Sequence, residues 1–457
     1  GAITLASFNT WLIARIASSL LSERAGLIAA VLYTSSLYSS IISGIFILPD
    51  SVANTFWLAS LGSMISIIKS EESLIKTNQL ILLGLWIGLG CLCKVHCIFL
   101  WFAFIVYTSI FQKEILKERA FYLGLIVTVF CLLPVIFWNE KYDYITWKFH
   151  SQRVGIFEAG MRWDFFAQAF FGQIFYNNPF LVYLYVVVLV LLFKNKLKIY
   201  GVPLNVIWLL LLCSFPIILL TTGLSLFRQT LPHWSGSGFF SIMLISSFWI
   251  DRRIDLNTIP RIRKLLNLQL SFTLVIMILA FIIIKWYPGN LFIKSSPKEL
   301  GKGDITLDLE GWRDLIQQFS TVRELDINNG EMSKDDAIIA SNWFPAGHFY
   351  FYLTKPLGIR LITVGKLTDI HKFAWINLTE TPIQPKENAY CIIPSNLFQD
   401  PNNLYSSSFK EIKLHRVLEQ KRSNTIVRKW YVYHLKDAKS VIGNQHPLSP
   451  TVSKFII

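Results

Sequence analysis

Charge is what this sequence has least of. Lys, Arg, Asp and Glu make up 16% of its 457 residues, where a soluble domain carries about 25%. A shortage of that size excludes a wholly water-soluble globular protein. It is also uneven: residues 1–287 form a series of apolar runs, whereas 288–457 have an ordinary soluble composition. Cysteine is scarce and unpatterned. Cys91, Cys93, Cys97, Cys131 and Cys213 sit in apolar runs and Cys391 stands apart, which implies neither a disulfide framework nor a zinc site. His96 beside Cys91, Cys93 and Cys97 lacks a second ligand pair, so small buried hydrophobes are the simpler reading. No internal repeat is visible. No basic segment with a cleavage site opens the chain, whose first residue is Gly, and the expectation is that it begins inside a longer protein.

Apolar and aromatic residues are abundant, at 53% and 15%. A bilayer crossing takes about 20 apolar residues in a helix. Runs at 3–20, 25–46, 51–68, 80–93, 97–111, 119–137, 180–193, 202–220, 236–250 and 267–286 predict about ten membrane helices. The expected fold is mainly α, a polytopic transmembrane helical bundle over 1–287 followed by a small C-terminal α/β soluble domain over 288–457. The fourth and fifth runs are short and meet at a break near Lys94.

Basic residues outnumber acidic ones by 43 to 29, a net charge of +14. Such a surplus can mark nucleic-acid binding. Here it collects in short loops between apolar runs, the pattern of positive-inside anchoring, with anionic lipid contact possible and no nucleic-acid partner expected. One set of loops holds Arg24, Lys69, Lys76, Lys113, Lys117, Arg119, Lys194, Lys196, Lys198, Arg252, Arg253, Arg261, Arg263 and Lys264. The opposite set is longer and poorer in Lys and Arg: Asp50, Lys94, the loop 138–179 and residues 221–235. The first set is then cytoplasmic. The second, with the soluble tail, is extracytoplasmic, and periplasmic in the inner membrane of a bacterium.

The unusual polar residues of the membrane half converge on that second face. Asp50, after Pro49, reads either as a helix N-cap or as a chemical carboxylate. Lys94 and His96, between two short apolar helices, read either as a snorkelling Lys with a hydrogen-bonded His or as cavity groups. The segment 138–153 interleaves Trp138, Tyr142, Tyr144 and Trp147, which suit an interfacial belt, with Asn139, Lys141, Asp143, Lys148, His150 and Arg153. Residues 161–176 space Trp163, Phe166, Phe170 and Phe171 as in a helix lying along the membrane. Arg228 precedes Pro232, His233 and Trp234, and serves as interfacial anchor or phosphate fork. An acid, a Lys, an Arg and several His beside aromatic surfaces suit an anionic substrate whose lipid tail stays in the bilayer. Asp50 could take a proton from a hydroxyl while Lys94 and Arg228 steady a phosphate leaving group.

In the tail, Trp312, Leu315, Ile316, Phe319 and Val322 share one helical face. Strand-like runs follow at 337–340, 360–364 and 390–393, then a hairpin from 411–417 and 425–434 with "KRSN" in its turn. No phosphate loop, catalytic triad or metal cluster is expected there. "NLTE" at Asn377 matches a glycosylation sequon, a motif short enough to be accidental. The tail is expected to shape acceptor access and to do no chemistry.

The motif order "LPDS", "GLWIGLGCLCKVH", "FWNEKYDYITWKFHSQR", "LPHWSGSGFF" and "DITLDLEGW" resembles the GT-C glycosyltransferases, in the branch of the protein O-mannosyltransferases and lipid A aminoarabinose transferases. The resemblance implies a polyprenyl-phosphate sugar donor, inversion at the anomeric carbon, and a lipid, glycan or protein acceptor outside the cytoplasm. No other cofactor and no divalent metal are implied. By position, Asp50 would be the second acidic residue of the site and Lys94 and Arg228 would meet the donor phosphate. His233 and Trp234 would line the cavity. His96, Asn139, His150 and Arg153 complete the expected substrate-binding set. The resemblance implies that residues 3–20 correspond to the family's second helix, so the family's principal acid, in a first external loop, is expected to lie ahead of this sequence. Two other readings stay open: a transporter or flippase of an amphipathic solute, which should show repeated halves, and a non-catalytic membrane assembly protein.

Overall fold

The computed structural model describes residues 1–154, 160–194, 201–254, 258–289 and 296–443, with the backbone alone at 149, 150 and 152–154. The chain divides into two units, Gly1–Met277 and Ile278–Ile457. Among its described residues the first has helices and no strand. Its helices are α1 (Ala2–Leu20), α2 (Glu23–Ser35), α3 (Pro49–Lys69), α4 (Ser73–Cys93), α5 (Phe99–Phe111), α6 (Arg119–Lys141) and α7 (Ile145–Val154). There follow α8 (Trp163–Tyr176), α9 (Pro179–Phe193), α10 (Leu204–Leu212), α11 (Phe215–Leu224), α12 (Phe239–Arg253) and α13 (Ile259–Trp286), the last running on into the second unit.

Among the described residues, five helical segments are long and apolar enough to cross a membrane: α3, α4, α6, the run Leu204–Leu224 and α13. A sixth arises if α8 and α9, bent by 96°, form one span. Their apolar side chains are not all buried. Tyr122, Leu123, Ile126, Val129 and Phe130 of α6 and Leu274, Val275, Ile278 and Phe281 of α13 lie exposed. Faces of that kind need hydrocarbon as their solvent, so this is a multi-pass membrane protein.

Helix ends depart from expectation where polar groups intervene. The run 25–46 is split: α2 ends at Ser35, and a wider π-type turn follows at Tyr38–Ile42. α4 starts at Ser73 rather than 80, and α13 at Ile259 rather than 267. The Lys196 and Lys198 positions of the basic loops lie outside the described residues.

Small residues let α4 and α6 approach closely. A Cβ on Gly84 would run into the backbone of Gly124. The Thr128 hydroxyl donates to the Gly84 carbonyl at 2.7 Å and accepts from Trp101 Nε1 at 2.9 Å. In a bilayer, where lipid is as apolar as Leu, such close packing and hydrogen bonding are what hold helices together. Asn178 makes the sharp α8–α9 bend, with φ at 67°. Its Oδ1 caps α9 at Phe180 N, and its Nδ2 donates to the carbonyls of Ser35 and Gln269 at 3.0 and 2.9 Å. One amide thereby ties α2, α9 and α13 together.

In the second unit a five-stranded mixed sheet has the order β2-β1-β3-β5-β4. The strands are β1 (Ala337–Ala340), β2 (Leu361–Thr363), β3 (Ala389–Pro394), β4 (Phe409–Arg422) and β5 (Thr425–Ala438). β1 pairs in parallel with β2 and β3, and β5 runs antiparallel to β3 and β4. The hairpin strands are longer than expected. The turn is confined to Ser423 and Asn424, both at positive φ (46° and 64°), as a two-residue hairpin of type I′ requires. α14 (Trp312–Asn328) buries Trp312, Leu315, Phe319 and Val322. Arg428 is fully buried, stacked on Trp430 and Trp312, and donates to Gln420 Oε1 and to the carbonyls of Leu307 and Glu310.

His348, on α15 (Trp343–Phe349), stacks on Trp312 at 4.1 Å. Burial first, and the Arg428 charge second, push its imidazole down from 6.5 to about 4. Between those values the unfolded chain binds a proton that the folded unit refuses. Its contribution to stability is therefore intact above about pH 6.5 and declines as the pH falls towards 4. His348→Phe is expected to remove that part of the acid loss. The check is the difference in thermal midpoint between variant and parent across this range; a difference that does not vary with pH would contradict it.

Candidate functional site

The site grows from the start of α3. Leu48 is the extended N-cap residue and Pro49 sets the first helical φ, so Asp50 falls inside the first turn. No side chain caps this helix. Asp50 is 2% exposed, and its Oδ1 accepts from the Tyr38 hydroxyl at 2.8 Å and from Lys94 Nζ at 2.8 Å. The capping reading of Asp50 therefore does not describe it. Lys94 reaches this point because α4 stops at Cys93 and Lys94 itself is extended (φ −154°, ψ 118°) before a short 3₁₀ turn at Val95–Ile98.

The network extends to residues that sequence reasoning did not single out. Tyr38 also donates towards Asn54 Oδ1 at 3.0 Å, and the Ser237 hydroxyl donates to the same oxygen at 2.9 Å. Asn54 lies one turn beyond Asp50 on α3, so the spacing of two polar residues four apart in an apolar helix was a usable signal. Tyr38 gave none, because it sits in an apolar run and its position depends on the π-type turn. Gly236, in the 3₁₀ segment Pro232–Gly238, leaves room for the Tyr38 ring, which a Cβ there would strike.

His233 and Trp234 lie on that same segment, both half-buried. The Trp234 ring meets the His96 ring edge-on at 6.1 Å, and His96 Nδ1 is buried with no hydrogen-bond partner. Lys94 and His233 stand within electrostatic reach of Asp50. Five of the nine expected residues, Asp50, Lys94, His96, His233 and Trp234, are thus brought together.

The other four are placed differently. Asn139 is buried and occupied locally: its Nδ2 donates to Val135 O and its Oδ1 accepts from Thr146 N, linking α6 to α7. The side chains of His150 and Arg153, on α7, lie outside the described residues. Arg228 is half-buried on the turn after α11, its backbone N–H bonded to Leu224 O. α8 packs under the segment that carries His233, with Gly172 against Pro232.

The comparisons with known proteins agree on the fold. A family model described as dolichyl-phosphate-mannose-protein mannosyltransferase matches residues 1–138. The crystal structure of ArnT from Cupriavidus metallidurans in the apo state superposes with a TM-score of 0.56 at 12% identity, over 94% of this chain and 82% of that one. The same protein bound to undecaprenyl phosphate gives 0.57 at 11% identity over the same shares. This chain has the GT-C fold. No curated protein sequence matches it. Within the GT-C fold, the matched 138 residues include Asp50, Lys94 and His96, three of the residues that the structure joins.

Proposed function

We propose that this GT-C protein is a membrane glycosyltransferase that moves a sugar from a polyprenyl-phosphate donor to a lipid, glycan or protein acceptor. The observation that carries the reading is the buried Asp50–Lys94–Tyr38 constellation on this fold. The binding of undecaprenyl phosphate by a structural neighbour supports the choice of donor. An acceptor oxygen attacks the anomeric carbon, the bond from that carbon to the phosphate oxygen breaks, and the acceptor proton passes to a carboxylate. Inversion at the anomeric carbon follows from a single displacement. The leaving phosphate gains charge in that step, which is where fixed cations are most effective. Lys94, held by Asp50, and Arg228 are the cations for it; His96, His233 and Trp234 form the adjoining wall. The excess of Lys and Arg in the opposite loops supports an extracytoplasmic side for this face, in the inner membrane of a bacterium.

The direct test is transfer from polyprenyl-phosphate sugars to envelope extracts by the protein in lipid vesicles; no transfer from any such donor would end the reading. Arg228→Ala is expected to raise the KM for the donor by about tenfold or more, with little change for the acceptor, as loss of one charge-assisted phosphate contact would produce. An effect confined to the acceptor would take Arg228 away from the phosphate.

A further inference from the structure

We infer that the C-terminal unit binds a neutral saccharide in the crevice at the carboxyl ends of β1 and β3. The strand order makes that crevice. β1 is paired in parallel with β2 on one side and with β3 on the other, so the chain leaves β1 in one direction and returns past it to form β3. The two connections then part. From β1 the chain enters α15, whose Phe349 packs on Trp312 of α14. From β3 it goes on to the short helix Pro401–Tyr405, where Tyr405 packs with Ile339, Cys391 and Ile393. These are opposite faces of the sheet, because strand residues alternate: Tyr390 meets Phe319 of α14, and its neighbour Cys391 meets Tyr405. Open α/β sheets take their ligands where the connections of adjacent parallel strands part in this way. A cavity of about 450 Å³ lies at this point, within the ~300–1,000 Å³ of small-molecule sites.

The lining offers polar groups that the fold leaves unused. Asn396 is 7% exposed, and its Oδ1 is enclosed with no hydrogen-bond partner. Tyr405 is 1% exposed, and its hydroxyl is likewise without one. Buried polar groups are almost always paired, so two orphans on one cavity point to a partner from outside the chain. Ser341, just past β1, donates to Gln399 Oε1, beyond β3, at 3.1 Å. That bond joins the two connections and commits only the oxygen of an exposed amide. Glu299 and Asp308 add carboxylates, and the half-buried rings of Phe344 and Phe398 add apolar surface. Amides and hydroxyls both donate and accept, as does every hydroxyl of a sugar, while the C–H face of a sugar ring suits an aromatic wall.

Other ligand classes fit worse. A phosphate or nucleotide needs positive charge, but the lining sets Lys302 against Glu299 and Asp308, and Lys302 Nζ already donates to Glu299 Oε1 at 2.7 Å. Among the described residues no Arg lines the cavity. The turn after β1, Ser341–Asn342–Trp343, has none of the glycines that let a phosphate come close to the backbone. Asn342 Oδ1 also accepts from Phe344 N, one of the helix-start N–H groups that a phosphate would use. A wholly apolar ligand would seal Asn396, Tyr405 and two carboxylates away from any partner. A neutral ligand rich in hydroxyls meets neither objection.

The test is saturation-transfer NMR on the full chain in a detergent without a sugar headgroup. The probes are glucose, galactose, mannose, N-acetylglucosamine, maltose and cellobiose, with AMP and inorganic phosphate as anionic competitors. No lipid donor is added, so the outcome is independent of the transfer reading. Expected is saturation of at least one neutral sugar, with a millimolar or tighter dissociation constant that neither competitor disturbs. Asn396→Leu and Gln399→Ala should each weaken that binding by about fivefold or more. Asn396→Leu should do so without lowering the thermal midpoint, because an apolar side chain of similar shape replaces an unpaired amide; an amide needed for the fold would lower it. Gln399 is exposed, so Gln399→Ala still reports if the Asn396 variant misfolds. Saturation of none of the six sugars, displacement by AMP or phosphate, or binding that survives both substitutions would overturn the site.

Discussion

Asp50→Asn is expected to lower sugar transfer by about two to four orders of magnitude, the range for losing a group that acts on a proton or fixes one that does, while the protein still inserts in the membrane. The amide keeps the shape of the carboxylate and can still accept from Tyr38, so α3 and the turn at Tyr38–Ile42 should hold. What it loses is the charge that keeps Lys94 in place at 2.8 Å. The measurement is turnover from a polyprenyl-phosphate donor in vesicles, with protein amount and protease resistance as controls. Near-normal turnover would make Asp50 a structural ion-pair member and move the chemistry elsewhere. Asp50→Glu should do only slightly better, because one further methylene on a buried side chain displaces the oxygen that Tyr38 and Lys94 meet.

Much of this site could be read from sequence because membranes make intramembrane charge expensive. Asp50, Lys94 and His96 announce themselves in apolar surroundings, and the break near Lys94 follows from two short runs meeting at a polar residue. Tyr38 could not be read so, since its role rests on a five-residue π-type turn that no periodicity encodes. Asn139 shows the converse. It looks like a site residue by type and place, but both ends of its amide are used on the backbone between α6 and α7. Capping competes with chemistry for the same side chains, and only coordinates separate the two uses. In the second unit, β1 and β3 were legible as β-branched or apolar runs. β4 was found only in part because it is a hairpin arm with many exposed positions along its 14 residues. The stacking of His415 of β4 on His434 of β5, centroids 3.9 Å apart, was illegible for a different reason: a register shift between Leu414 and Arg416 decides it, and register is a long-range property.

Lys94→Met should show whether Asp50 acts through its partner. Removing the ammonium leaves a buried carboxylate 2% exposed, a change that costs about 3–5 kcal/mol when the ion stays charged, so a lower midpoint is expected together with a loss of transfer of about a hundredfold or more. Asp50→Asn with Lys94→Met restores neutrality, and the double variant should regain most of the lost stability. Transfer should not recover, and it should fall little below the worse single variant, because the two side chains form one unit. Additive losses in transfer would mean that the acid and the ammonium touch the substrate independently, with Asp50 taking the acceptor proton itself. Coupled losses would make Asp50 the residue that positions Lys94 against the leaving phosphate. The ground-state geometry favours coupling, since both the ammonium and the Tyr38 hydroxyl converge on the same oxygen, Oδ1.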